Sequence, residues 1–111
     1  MIVPTLSRKR PFEWVNTDNR DDGIVIFKRR GKNRSEDILV VLNVTVHPKR
    51  NWKTEIKGKM SWKEIFNSDD VKFWGSGDYM NQNIVSIVVD KKKKLYEINF
   101  DIPALAALIF R

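Results

Sequence analysis

Polar and apolar positions alternate strictly over Leu95–Ile102. Tyr96, Ile98, Phe100 and Ile102 fall on one side, and Leu95, Glu97, Asn99 and Asp101 on the other. A period of two residues is the mark of a half-buried β-strand. The same period appears in Trp52, Thr54 and Ile56 against Lys53, Glu55 and Lys57, and again in Val85, Ile87 and Val89 against Ser86 and Val88. Ile24–Arg30 predicts a further strand with Val25 and Phe27 on a common face, and Ser61–Phe66 another. The longest run, Ile38–Thr45, is nearly all β-branched or aliphatic and predicts a central strand with both faces covered. Its Ile38, Val40, Leu42 and Val44 are expected in the core, because that set has no polar member. Leu39 and Val41, beside Asn43 and Thr45, are then expected to point outward. The final run, Ala104–Phe110, follows Pro103 and suits a short helix by propensity or a closing strand by position.

Between these runs lie turn compositions. Asn16–Gly23 is dense in Asp and Asn, Gly31–Asp37 is polar, Pro48 ends the central strand, Gly58 turns the chain, and Asn67–Asp70 forms another turn. Val71–Asn83 predicts a long loop carrying Phe73, Trp74 and Tyr79 around Gly75-Ser76-Gly77. Many short strands with regular turns predict an all-β fold, an antiparallel two-sheet β-sandwich of Greek-key type. Residues 1–11 show no periodicity and are expected to be a lead-in to a single domain over 12–111. Phe12–Val15 is an apolar anchor.

Composition narrows the function. With 41% hydrophobic residues among 111, one modest core is feasible and disorder is not expected. There is no cysteine, hence no disulfide, thiol nucleophile or thiolate metal site. The single histidine, His47, cannot build a metal centre alone. No run reaches the roughly 20 apolar residues of a membrane span, and no signal-peptide core is seen at the start. A cytoplasmic protein with no membrane partner is expected. The Asn43-Val44-Thr45 sequon lies inside a predicted strand and does not overturn this.

The formal charge of +7 points either to a nucleic-acid partner or to a solvated basic surface. The second reading is favoured. The clusters at Lys28–Lys32 and Lys91–Lys94 sit at turns and do not interleave with aromatic residues as a base-stacking surface would. No nucleophile elbow, phosphate loop or zinc motif occurs, and the acidic residues fall in turns, where they cap backbone groups. No catalytic, metal or cofactor-binding residue is predicted. Phe73, Trp74 and Tyr79 form the one candidate contact, since exposed aromatic faces stack on sugar rings. The plainer account is that they pin their own loop. Trp14, Trp52 and Trp62 read as core or interface residues.

Several stretches, in order, resemble the C-terminal all-β domain of 1,4-α-glucan (glycogen) branching enzymes of the α-amylase superfamily. They are Phe12-Glu13-Trp14-Val15, Phe27-Lys28-Arg29-Arg30-Gly31, Leu39–Thr45 with Pro48, Trp62–Asp69, Gly75-Ser76-Gly77 and Ile102–Phe110. The family usually carries glycine where Trp74 stands. The resemblance implies a parent enzyme that cuts an α-1,4-glucan and transfers the segment to make an α-1,6 branch. Its catalytic carboxylates lie in a (β/α)₈ barrel, for which this chain is too short. The domain's implied role is to brace that barrel, its expected partner, with α-glucan as a candidate ligand and no cofactor. Two other readings stay open: a free-standing glucan-binding module and a basic nucleic-acid-binding β domain. An apolar patch at Leu39 and Val41 is the candidate barrel-facing surface. The alternative is that Phe12–Val15 and Val71–Asn83 fold back over it.

Overall fold

A computed structural model describes residues 12–15 and 23–111. The lead-in and most of the Asn16–Gly23 turn lie outside the described residues. Among the described residues the chain forms β1 (Phe12–Trp14), β2 (Ile24–Arg29), β3 (Ile38–Asn43), β4 (Lys49–Lys57), β5 (Ser61–Asn67), β6 (Asn83–Val85), β7 (Ile87–Asp90), β8 (Leu95–Ile102) and β9 (Ala106–Phe110). Two antiparallel sheets result, one ordered β1-β2-β3-β9-β5-β6 and the other β4-β8-β7. The last strand lies between β3 and β5, neither of them its neighbour in sequence, as a Greek-key sandwich requires.

The core fills the space between the sheets. Ile24, Ile26, Leu39, Val41, Leu108, Phe110 and Trp62 face Ile56, Ile98, Phe100 and Ile102. Phe100 and Phe110 meet edge to face with ring centroids 5.3 Å apart, tying the two sheets together. Each fully buried aliphatic or Phe side chain contributes about 1.5–3 kcal/mol of transfer free energy. The alternation in β8 reads directly into this core, with Ile98, Phe100 and Ile102 all buried. The terminal run is a strand from Ala106, because its backbone completes the ladders of both β3 and β5.

The orientation of β3 is the reverse of that expected. Leu39 and Val41 are each 0% exposed and belong to the core. They are therefore not a surface patch. Ile38, Val40 and Leu42 face away, half-buried, and Val44 is exposed beyond the strand end. The reason is Asn43, which shares the inner face and is buried. Its amide donates to the carbonyls of His47 (2.9 Å) and Pro103 (3.0 Å), and its oxygen accepts from Thr45 N (2.9 Å) and Thr45 Oγ1 (2.8 Å). A polar group so fully paired is at home inside.

The stretch read as one strand around Val85–Val89 is two. At Ser86 the chain turns a corner: β6 pairs with β5 in the first sheet and β7 with β8 in the second. The long segment predicted over Val71–Asn83 is a loop apart from a single 3₁₀ turn at Val71–Phe73, and its last residue, Asn83, opens β6.

Candidate functional site

On β2 the usual order of polarity is inverted. Lys28 is 3% exposed on the inner face, while Phe27 is half-buried on the outer one. The lysine is accommodated because its ammonium donates to the carbonyl of Lys57 at 2.7 Å and lies 3.7 Å from the Glu13 carboxylate. Strand register then carries the inversion across the sheet. Trp14 stands opposite Phe27, Phe27 opposite Val40, Val40 opposite Ile109, and Ile109 opposite Phe66. One row of apolar side chains thus crosses five strands on the outer face. Phe73 extends it, its ring 5.4 Å from that of Phe66. A second row runs Val25, Leu42, Ala107. Beside it the exposed Val44 and Leu105 rise above Leu42 and the small Ala107, leaving an open saddle. A solvated sandwich ordinarily shows polar side chains on this face.

The β5–β6 loop begins where Phe66 ends the row. It is built on Asp69. Its amide donates to Asn67 Oδ1 (2.8 Å), its carboxylate accepts from Ser76 N (3.1 Å) and Ser76 Oγ (2.5 Å), and its carbonyl accepts from Gly77 N (2.8 Å). Asp70 caps the 3₁₀ turn through Lys72 N. These bonds explain the Gly-Ser-Gly sequence: a Cβ on Gly75 would stand 2.1 Å from Asp69 O. Trp74 ends the turn in the left-handed region, φ 70°, and is 98% exposed.

The three loop aromatics are placed differently from one another. Trp74 stands free of cover among the described residues. Phe73 is partly exposed, packed against Phe66 and with the Lys72 ammonium 5.4 Å from its ring centre. Tyr79 is half-buried with the Arg50 guanidinium 4.0 Å over its ring, and Arg50 is held by Asp101 at 3.0 Å. One face of the tyrosine is therefore already taken. The outer-face residues Phe27, Val40, Ile109 and Phe66 were missed by sequence reasoning. Their only signal was that β3 is apolar on both sides.

Below the loop, Glu64 accepts from Asn81 N (3.1 Å), Asn81 Nδ2 (3.0 Å) and Asn67 Nδ2 (3.2 Å). Asn81 also bonds both the amide and the carbonyl of Asp101. Burial pushes the Glu64 carboxyl above the ordinary glutamate range, and nearby Asp70 adds to this. The hydrogen bonds pull the other way without cancelling it. As pH rises, the unfolded chain ionises Glu64 first while the fold still holds its proton. This contribution to stability is thus present at low pH and lost as pH rises through the raised pKa. Denaturant midpoints followed across that window are expected to show the fall. Glu64→Gln, which cannot ionise, is expected to flatten it. An identical pH curve in the variant would exclude Glu64 as the source.

Among the described residues, no group of three or more His, Cys, Asp or Glu side chains is placed to hold a metal ion. No helix there is long and apolar enough to cross a membrane.

Residues 14–111 match the family described as the alpha-amylase C-terminal all-beta domain. The chain is 29% identical over 101 residues to "1,4-alpha-glucan branching enzyme GlgB" of Clostridium perfringens, covering 90% of this chain and 15% of that protein. It is 31% identical over 100 residues to the enzyme of the same name from Halothermothrix orenii, covering 90% and 16%. A third, from Rhodopirellula baltica, is 31% identical over 102 residues, covering 90% and 14%. The chain thus spans only about 15% of the length of the Clostridium relative.

Proposed function

The chain belongs to the alpha-amylase C-terminal all-beta domain family, and from that membership we propose that it is the terminal β domain of a glycogen branching enzyme. In this reading the reaction is cleavage of an α-1,4-glucan and its transfer into an α-1,6 branch. The chemistry belongs to a (β/α)₈ barrel elsewhere in the parent, and this domain braces the barrel. The same reading puts the protein in the cytoplasm, in keeping with a chain free of cysteine.

The observation that carries it is the apolar row Trp14, Phe27, Val40, Ile109, Phe66 on the outer face of the larger sheet. Such a row is out of place against water and in place against another folded unit. The outer ring of a (β/α)₈ barrel is made of helices. The shallow, open apolar surface over Leu42 and Ala107, bounded by Val44 and Leu105, adds apolar area beside the row for such a contact. Interdomain contacts of this type cover about 600–1,500 Å², which a row across five strands can supply.

The test is a double substitution in the middle of the row, Val40→Lys with Ile109→Lys. Both side chains are half-buried on the outer face and touch no core layer. The variant is expected to keep the wild-type far-UV spectrum and to lose association with a separately expressed barrel. Equal association of variant and wild type would overturn the bracing role.

A further inference from the structure

We propose that the β5–β6 loop is a glucan-binding platform, with the indole of Trp74 as the surface on which the rings of an α-1,4-linked glucose chain stack. The ligand class rests on the function proposed above. The site itself rests on three observations.

The first is exposure. Trp74 is 98% exposed, while Phe73 beside it is half-exposed with the Lys72 ammonium 5.4 Å from its ring centre, so the indole is the free face. An indole left wholly in water has a large apolar face to cover. The second is backbone strain. A bulky residue at φ 70° is an outlier, since that region favours glycine. Strain of this kind persists where the surroundings over-determine it, and it concentrates at ligand sites. Here the surroundings are the Asp69–Ser76 clamp, the Gly75 N to Asp70 O bond (3.0 Å) and the Trp74 N to Val71 O bond (3.0 Å). The platform is therefore formed before any ligand arrives, and little ordering remains to oppose binding.

The third is the polar setting. The same loop carries exposed Lys72, Ser76 and Asp78 and half-exposed Asp70. A sugar ring offers C–H groups on its face and hydroxyls at its rim, so it covers the indole and still meets polar side chains. An apolar protein pocket closing over Trp74 would strip water from Lys72 and Asp78 without replacing it. The Phe73–Phe66 contact sets the platform at the end of the apolar row, so a bound glucan would lie at the rim of the docking face.

Titration of the chain with maltoheptaose tests the proposal. Saturable shifts are expected at the Trp74 indole N–H and at the amides of Gly75–Gly77. Trp74→Ala is expected to weaken binding about tenfold or more, by analogy with base–aromatic stacking, and Trp74→Phe to restore part of it. Trp74→Gly is expected to raise the thermal midpoint, because the strain is relieved, while losing the binding. No saturable shift in the wild type, or equal affinity in Trp74→Ala, would overturn the proposal. So would a Trp74→Ala effect confined to association with the barrel, which would make the indole a protein anchor. The Val40→Lys, Ile109→Lys variant is expected to titrate like the wild type, so failure of docking and failure of glucan binding are read separately.

Discussion

Replacing Asn43 by leucine is expected to destabilise the domain by about 3 kcal/mol, although leucine keeps the branching at Cγ and is far more apolar. The estimate comes from the groups left behind. The Pro103 carbonyl loses its buried partner, and an unsatisfied group in the interior costs about 1–3 kcal/mol. Thr45 N and Thr45 Oγ1 lose their shared acceptor, and the His47 carbonyl its donor. Those sites are nearer water, so each loss is worth about 0.5–1.5 kcal/mol or less. The Asn43 amide joins the turn after β3 to the entry of β9, and no other residue type offers two donors and a two-pair acceptor at that length. Equilibrium denaturation of Asn43→Leu measures the cost. A loss below about 1 kcal/mol would show that the buried amide is a passenger and that its hydrogen bonds are replaced by water.

The same residue marks the boundary of what the sequence revealed. Strand β8 was legible because a strictly alternating stretch has only one face fit for a core. In β3 both faces are apolar, and alternation carries no signal. The face was then assigned by a polar residue, on the rule that polar points to water. Asn43 inverts that rule because its hydrogen bonds are all internal, and Lys28 inverts it on β2 in the same way. The apolar outer face was unreadable for the same reason: it is composed of residues that a single strand would hide, and only the register across five strands shows that they line up. The corner at Ser86 was hidden because the period of two continues through it while the partner strand changes. The family was legible from the order of short motifs. The loop aromatics were legible as a group, but their separate fates were not. Hydrophobicity cannot tell that Arg50 covers Tyr79 while Trp74 stands clear. Trp74 stands where the resemblance implies a glycine, and the positive φ there is a conformation that glycine adopts without strain.

Gly75→Ala, one residue further on, is expected to act in the opposite direction from Trp74→Gly. The added methyl would stand 2.1 Å from the Asp69 carbonyl oxygen, 2.2 Å from its carbon and 2.4 Å from Asp69 Cα. These are backbone atoms, so no side-chain rotation relieves the contact. Asp69 cannot retreat either. Its amide is held by Asn67, its carbonyl by Gly77 N and its carboxylate by Ser76. Overpacking of this severity costs about 1–3 kcal/mol or more, and the hydrogen bonds broken in relieving it place the expected loss at about 2–3 kcal/mol. The cost falls on the loop first, since the core strands lie on the other side of Asn67. Faster proteolysis within residues 70–80 should therefore precede global unfolding. Maltoheptaose binding should weaken as well, because the platform loses its fixed geometry while keeping its indole. The contrast between neighbouring positions is the informative result. Glycine at 74 relieves a strained backbone and removes the stacking surface, whereas alanine at 75 keeps the surface and breaks its support. If both substitutions destabilise the fold to the same degree, the loop is merely intolerant of change and the strain at Trp74 has no bearing on function. If Trp74→Gly stabilises while Gly75→Ala destabilises, and both weaken binding, then stability at position 74 has been given up for a surface that the rest of the loop exists to hold.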